Sequence, residues 1–519
     1  MNNNLVLDVN ENPRRWYQWL LFAIQHILAM LVACITVPLI TGLPVGPTII
    51  AAGIGTLIYI FTTKRKSPVF LSSSFAYLVP MATALGCGVA TGGANDNYWA
   101  VIIGMAMVGA VYVIIALIVR KTGTGWLNKL LPPVVIGPII MVIGLSLAGS
   151  AINNVVNGTY ATSLYPDGNM PWYFGFTSIC LALIACALTA FFATSKKKGI
   201  TLIPFVLGMV GTYLVAVILT IIGNVADVDA IKIIDFDIFT TNDWGSYKGW
   251  ITTDFLFIKA IDQTASVDAE VIGQVALAFI PVALVTVCEH IGDHKNLGNI
   301  INRDLLEDEP GLTRTLIGDG IATAVSGFAC GAANTTYGEN VAVIGVSKVA
   351  SVNVIILAAI MTIVMGFFKP FALALETVPK CITGGISLIL YGFIAASGVK
   401  MLIKERVNFG ITKNIIVASV ILVTGIGGLV IGFGGNVSSY TIKIGGTAMA
   451  MILGILANVL LKNHEGLPEK VTDEEPIVIP TTEPLNEEEL IERAEVKKIN
   501  EDEEDSSIES EAKNNLMGR

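Results

Sequence analysis

The sequence predicts an all-α polytopic membrane protein of about fourteen transmembrane spans, arranged as two inverted seven-span repeats. Three observations carry that expectation: composition, the alternation of basic loops along the chain, and a repeated pair of motifs. Of the 519 residues, 53% are hydrophobic and only 14% are charged, and the mean hydropathy is +0.70. Soluble domains carry about 25% charged residues, and a soluble chain this apolar would expose large sticky patches. The acidity is also local. After Lys462 there are 18 acidic against 6 basic residues, and residues 1–462 hold 23 against 26. The body is therefore nearly neutral.

A bilayer core takes about 20 apolar residues in helix. Candidate spans begin near Tyr17, Pro47, Phe70, Tyr98, Pro132, Trp172, Thr201, Val271, Thr313, Tyr337, Val354, Pro379, Thr412 and Thr441. Those near Phe70 and Tyr337 look short and broken, with Ser, Thr, Gly and Asn where a lipid-facing helix carries Leu. Lys and Arg gather in alternate loops: Arg14–Arg15, Lys64–Lys66, Arg120–Lys121, Lys196–Lys198, Arg303 with Arg314, Lys404 with Arg406 and Lys413, and Lys462. The intervening stretches 41–47, 86–98 and 150–172 carry none. By the positive-inside rule both termini are expected in the cytoplasm of a cell (inner, cytoplasmic) membrane. Residues 224–270 then form a long external loop, and 463–519 an acidic cytoplasmic tail of disordered composition. The first apolar stretch is too long for a signal-peptide core. The seven cysteines form no CxxC pair and mostly lie in apolar runs, as small buried hydrophobes do.

The repeat is short but chemically matched. Gln25-His26 opens the first half and Ser73-Ser74-Phe75-Ala76 follows it. Glu289-His290 opens the second half, and Thr335-Thr336-Tyr337-Gly338 follows at nearly the same spacing. An odd number of spans per copy inverts one copy relative to the other. Inverted repeats with broken helices at matching positions mark secondary transporters that bind substrate near the membrane midplane.

Ionisable groups at membrane depth are costly and point to function. Glu289 follows the apolar run Val271–Cys288, and Asp293 lies one helical turn further on the same face. Glu339 follows the broken segment Asn334–Gly338. The alternatives are a structural carboxyl bonded to a neighbouring helix for Glu289, and a dipole-stabilised first-turn residue for Glu339. Asp293 and His290 read either as site residues or as members of a polar network. His26, alone on an apolar helix, reads from the residues as a hydrogen-bonded packing group. Asp319 reads as structural, near a helix start at a membrane edge. The glycines from Gly425 to Gly435 read as close helix packing.

Non-helical backbone at this depth needs cover from protein or a polar cavity. The two short extended pieces can pair with each other, each ending where a half-helix begins and offers free N–H groups. Such N–H groups, with carboxyls on either side, suit a flat ligand displaying alternating C=O and N–H, as a nucleobase does. Phe75 or Tyr337 could stack on its face; core packing is the alternative for Phe75.

The run Gly331-Ala332-Ala333-Asn334-Thr335-Thr336-Tyr337-Gly338-Glu339-Asn340 resembles the signature of the nucleobase–ascorbate transporter (nucleobase:cation symporter-2) family, in its uracil permease branch. Gln25-His26, Ser73-Ser74-Phe75-Ala76, Gly123-Thr124-Gly125-Trp126-Leu127 and Glu289-His290-Ile291-Gly292 match in the same order, across residues 16–461. The resemblance implies a core domain of spans 1–4 and 8–11 (residues 16–130 and 271–378) and a gate domain of spans 5–7 and 12–14 (131–223 and 379–462), with 1–15 as cytoplasmic N-terminus. Two short antiparallel strands belong in the broken spans 3 and 10. It implies that Glu289, Glu339 and the backbone at Gly338 and near Phe75 hydrogen-bond the base, that Phe75 lies against its ring, that His26 supports the carboxylate of span 8, and that Tyr391 is a gate-side tyrosine close by. A homodimer through the gate domain is also implied. Two features depart from the family pattern. Ala332-Ala333 stand where relatives often carry proline. Asp293 stands where uracil members often carry His, and Glu with Gly-Asp at this spacing also resembles the purine branch.

The expected function is proton-coupled symport of uracil by alternating access. The alternatives are a xanthine or urate permease of the same family and, more remotely, an anion transporter of the same architecture. A buried carboxyl is favoured in its protonated form, so Glu289 is the expected proton carrier, with Asp293, His290 and His26 in its network. No nucleophile elbow, phosphate loop or metal-ligand cluster appears in the sequence. The chain is therefore expected not to be an enzyme and to need no cofactor or metal beyond the coupling proton. The expected partners are a nucleobase and the lipid bilayer, not nucleic acid.

Overall fold

The computed structural model describes residues 5–85, 98–158, 169, 171–201, 203–253, 255, 269–329, 331–436 and 439–461. Cys87, Cys330, residues 256–268 of the long loop and the acidic tail 463–519 lie outside the described residues. The membrane-length segments of the first half are α1 (Trp16–Thr41), α2 (Val45–Thr62), the broken segment β1 (Leu71–Ser73) followed by α3 (Leu78–Ala84), α4 (Tyr98–Thr122), α5 (Pro133–Ser146) continued by α6 (Ala148–Asn157), α7 (Trp172–Ala193) and α8 (Pro204–Ala226). The second half has α9 (Ala269–Ile301), α10 (Gly311–Phe328), the broken segment β2 (Asn334–Thr336) followed by α11 (Gly338–Ser347), α12 (Val352–Phe367), α13 (Lys380–Lys404), α14 (Thr412–Ile426) and α15 (Gly446–Leu460). Among the described residues, eight helices are long and apolar enough to cross a membrane alone, and α12, α14 and α15 are shorter apolar helices. Each of the fourteen expected spans has its segment.

Local chemistry sets the ends. Pro132 and Pro133 open α5, where the missing N–H would have no intrahelical acceptor. Gly42 closes α1 in the left-handed conformation at φ 79°, and its N–H caps the carbonyl of Pro38.

The helices pack in two sets. In the core set, α2 lies against α10 and α12, α4 against α9 and α10, and α1 against α11 and α12. In the gate set, α13 lies against α5, α6 and α7, α14 against α5 and α15, and α7 against α8. Helix α9 joins the sets, touching α5 and α15. Burial follows this plan: 72% of the most apolar stretch of α2 is buried, against 28% for α7 and 33% for α8. The exposed apolar side chains of α7 and α8, such as Phe176, Phe191 and Ile218, suit a lipid-facing rim.

Strands β1 and β2 pair antiparallel across the two halves, with Leu71 opposite Thr336, Ser72 opposite Thr335 and Ser73 opposite Asn334. This is the pairing expected from the two broken segments. A second strand pair was not anticipated. Ile431–Asn436 (β3) and Ser439–Ile444 (β4) form a hairpin, so Thr441, taken as the start of the last span, lies in a strand and the helix begins at Gly446. The alternation of Tyr440, Ile442 and Ile444 with Ser439, Thr441 and Lys443 is a period-two pattern, which favours strand over helix. The glycine run divides accordingly. Gly425 does serve close packing, since a Cβ there would meet Val142 Cγ1 at 2.4 Å, whereas Gly432 and Gly435 belong to the hairpin.

Candidate functional site

The β1–β2 ladder is short, and every residue in it is buried. Backbone groups at its margins therefore need partners, which surrounding side chains supply. Thr56 Oγ1 accepts from the N–H of Leu71 at 3.0 Å. The Ser72 hydroxyl donates to the carbonyl of Met30 at 3.3 Å, and Ser74 N–H extends the ladder to the carbonyl of Ala333 at 2.8 Å. Thr323 donates to the carbonyl of Asn334, and Ser326 to that of Ala332. The Asn334 amide donates to the carbonyl of Ala51 at 2.8 Å. Gly55 leaves room for that amide, because a Cβ there would fall 2.4 Å from its nitrogen.

Each strand leads into a helical start. After β1, Phe75–Tyr77 forms one 3-10 turn and α3 follows. Tyr77 ties this start to α9 through Thr286, with their hydroxyl oxygens 2.9 Å apart. After β2, Tyr337 caps α11, its carbonyl accepting from Asn340 and Val341. The N–H groups of Gly338 and Glu339 belong to the first turn, where an α-helix has no internal acceptor for them. Helix α9 packs against β2, α11 and the Phe75 turn. It thereby brings Glu289 within the electrostatic reach of Glu339, Asp293 and Asp319. Asp293 also reaches this site: a Cβ on Gly338 would lie 3.2 Å from its Oδ1. Phe75 meets the gate residue Tyr391 edge to face, with centroids 5.5 Å apart. Among the described residues, Glu289 Oε2 and the Tyr337 hydroxyl are buried without a hydrogen-bond partner.

The structure thus gathers Phe75, Tyr337, Gly338, Glu339, Glu289, Asp293 and Tyr391 around the ends of the strand pair. One expectation, that for Asp319, is corrected. His26 Nδ1 lies 2.8 Å from Asn340 Oδ1, so His26 steadies the half-helix that carries Glu339. Asp319 is not near a helix start but midway along α10. It is fully buried within α10, with Oδ2 2.7 Å from His290 Nδ1. His290 turns toward Asp319 rather than toward Glu289. His294 and Tyr59 were not singled out from the sequence, although the i, i+4 spacing of His290 and His294 puts both on one face of α9. Among the described residues no group of three or more metal-ligating side chains converges.

A family model, Xan_ur_permease, described as the Permease family, matches residues 17–432. The uracil permease of Bacillus caldolyticus is 36% identical over 472 residues, covering 91% of this chain and 98% of that protein. The uracil permease of Escherichia coli (strain K12) is 32% identical over 466 residues, covering 90% and 96%. In solved structures, the transmembrane domain of the cyanobacterial bicarbonate transporter BicA superposes with a TM-score of 0.54 at 14% identity, covering 87% of this chain and 99% of that one. Murine Slc26a9, an anion transporter in its inward-facing state, gives 0.56 at 10% identity, covering 87% and 69%. At these identities the structural likeness is one of fold. The chain is a multi-pass membrane permease and not an enzyme, and it belongs to the nucleobase:cation symporter-2 family.

Proposed function

We propose that this chain carries uracil across the cytoplasmic membrane together with a proton, by alternating access. The observation that carries the reading is the convergence of two half-helix starts, an aromatic ring and two carboxyls at the paired strands. Uracil is flat and displays C=O and N–H groups in alternation around one edge. The N–H groups at Gly338 and near Phe75 can donate to its carbonyls, and Glu289 and Glu339 can accept from its N–H groups. Phe75 can lie against the ring. The names of the relatives, matched nearly end to end, support uracil as the base.

Glu289 is the proposed proton carrier. It lies in a cluster of acids where a second negative charge is costly, so protonation and base binding assist each other. The core, at 16–130 with 271–378, would move against the gate, at 131–223 with 379–462, to open the site to either side. Both termini would face the cytoplasm, the side of the Lys- and Arg-rich loops, and a homodimer would form through the gate.

A second reading, a xanthine permease, is favoured by Asp293 beside Gly338. It adds a carboxyl where a second fused ring would need an acceptor. Equilibrium binding to the purified protein separates the two. Uracil binding that excess xanthine fails to displace supports the first reading, and xanthine binding that uracil fails to displace supports the second.

A further inference from the structure

A second polar chain is built from α2, the loop after it, α9 and α10, and its members differ from the residues proposed to touch the base. Tyr59, Ser67, His290, His294 and Asp319 are all fully buried. Asp319 Oδ2 lies 2.7 Å from His290 Nδ1. The His290 and His294 rings stack with centroids 4.0 Å apart and planes at 26°. His294 Nδ1 lies 2.7 Å from the carbonyl oxygen of His290, and its Nε2 lies 2.6 Å from the Tyr59 hydroxyl. That hydroxyl lies 2.9 Å from Ser67 Oγ. Ser67 directly follows the basic run Lys64–Lys66. His294 also lines a cavity of about 500 Å³ whose other walls include Lys295, Asn299, Arg303, Asp304 and Glu405.

These partners fix the protonation chemistry. A carbonyl oxygen can only accept, so Nδ1 of His294 carries hydrogen and Nε2 is the atom that gains or loses a proton. In neutral His294, Nε2 accepts from Tyr59, and Tyr59 accepts from Ser67. In charged His294, Nε2–H donates to Tyr59, and Tyr59 donates to Ser67. The chain converts between these states by passing one proton along it. A proton reaching Ser67 Oγ displaces the Ser67 proton to Tyr59, and Tyr59 gives its own to Nε2. Only O–H and N–H bonds change, and His294 ends with one proton more. The reverse sequence releases it. His290 Nε2 is buried without a described partner, so the other end of the pair has capacity for a proton too. Two imidazolium rings stacked at this distance repel each other, so the pair holds one proton at a time.

We infer that the stacked pair His290–His294, held by Asp319 at one end and Tyr59–Ser67 at the other, is a proton station between the carboxyls of the site and the side of the membrane bearing the Lys- and Arg-rich loops. The groups that face it are Tyr59 from α2, Tyr112 from α4 and Asp319 from α10, with Lys295, Arg303, Asp304 and Glu405 lining the cavity beside His294. Asp319 lies within electrostatic reach of Glu289 and Asp293 and so links the pair to the site. The mixed charges around the cavity favour neither state strongly, so a proton delivered there can leave.

This inference rests on the proposed proton symport, and its test separates the two. His294→Gln and Tyr59→Phe are reconstituted in liposomes beside the parent protein. Base counterflow, which needs no net proton movement, is measured together with proton-driven accumulation across internal pH values from about 5 to 8. The expected result is counterflow within about twofold of the parent, with accumulation reduced about tenfold and its dependence on internal pH flattened. Accumulation by both variants at the parent level, with an unchanged internal-pH profile, would overturn the station. If His294→Gln loses counterflow as well, it has misfolded, and Tyr59→Phe, which removes a single oxygen, decides the matter. If the parent exchanges xanthine rather than uracil, the same variants are scored with xanthine. A parent that exchanges base without any proton dependence removes both the symport and the station.

Discussion

The ring of Tyr391, on gate helix α13, meets the ring of Phe75, at the core half-helix start, with planes at 80° and centroids 5.5 Å apart. This places an aromatic contact between core and gate beside the paired strands. If Phe75 lies against the base, Phe75→Ala removes that face and weakens uracil binding by about 1–2 kcal/mol, or roughly tenfold in Kd. Tyr391→Phe keeps the ring contact and is expected to bind uracil within about threefold of the parent. Titration of both purified variants with labelled uracil checks this pair of outcomes.

The two carboxyls make different predictions. Glu289→Gln keeps the shape of the side chain but cannot carry a proton, so it is expected to abolish proton-driven accumulation while facilitated exchange persists. Glu339→Gln alters an acceptor for the base at the N-terminus of α11 and is expected to weaken binding more than coupling. Counterflow measured beside gradient-driven uptake distinguishes them. Normal accumulation by Glu289→Gln would remove it as the proton carrier.

The ladder depends on Asn334, whose amide is 2.8 Å from the carbonyl of Ala51. Asn334→Ala removes a buried hydrogen bond and is expected to cost about 1–3 kcal/mol. Gly55→Ala pushes a methyl group into the same amide, 2.4 Å from its nitrogen, and is expected to cost a similar amount by overpacking. Both variants should melt several degrees below the parent in detergent and transport poorly. Combining them should cost less than the sum, since the second change strikes an amide the first has removed.

At the surface, Glu309 accepts from Lys64 at 3.0 Å and from Lys66, joining the loop after α2 to the loop before α10. Hydrogen bonds to the two ammonium groups hold its carboxyl down at about 2. The folded value lies below the unfolded one, about 4.3. The pair therefore contributes stability at all pH values above the unfolded value and loses it as pH falls toward 2. Both partners are well exposed, so the effect is small and screened by salt. Melting curves of Glu309→Gln should track the parent at high salt, and at low salt should fall slightly below it only above about pH 4.

Much of this fold was legible in the residues. Span starts expected at Tyr98, Trp172 and Thr412 coincide with the first residues of α4, α7 and α14, because each follows a break in a long apolar run. The strand pair was legible because Ser72–Ser74 and Asn334–Thr336 place polar side chains where a lipid-facing helix cannot carry them. The β3–β4 hairpin was missed because its glycines were read as helix packing and its period-two pattern was passed over. In the site, Glu289, Glu339 and Phe75 stood out through local sequence, and Gly338 through the family resemblance. The partners of the histidines did not: His26 meets a residue 314 positions away, and His294 one 235 positions away. No periodicity along a chain encodes which buried groups will face each other across helices. Asp319 was misplaced for the same reason, since its burial depends on α4 and α2 packing over α10.

The central claim, that this permease moves uracil with a proton, is tested most directly by uptake of radiolabelled uracil into proteoliposomes under an imposed inward proton gradient, with unlabelled xanthine as competitor. The account predicts accumulation that a protonophore collapses and that xanthine leaves intact. No uracil uptake under the gradient, with xanthine accumulated in its place, would contradict it and make Asp293 the residue that chooses the base.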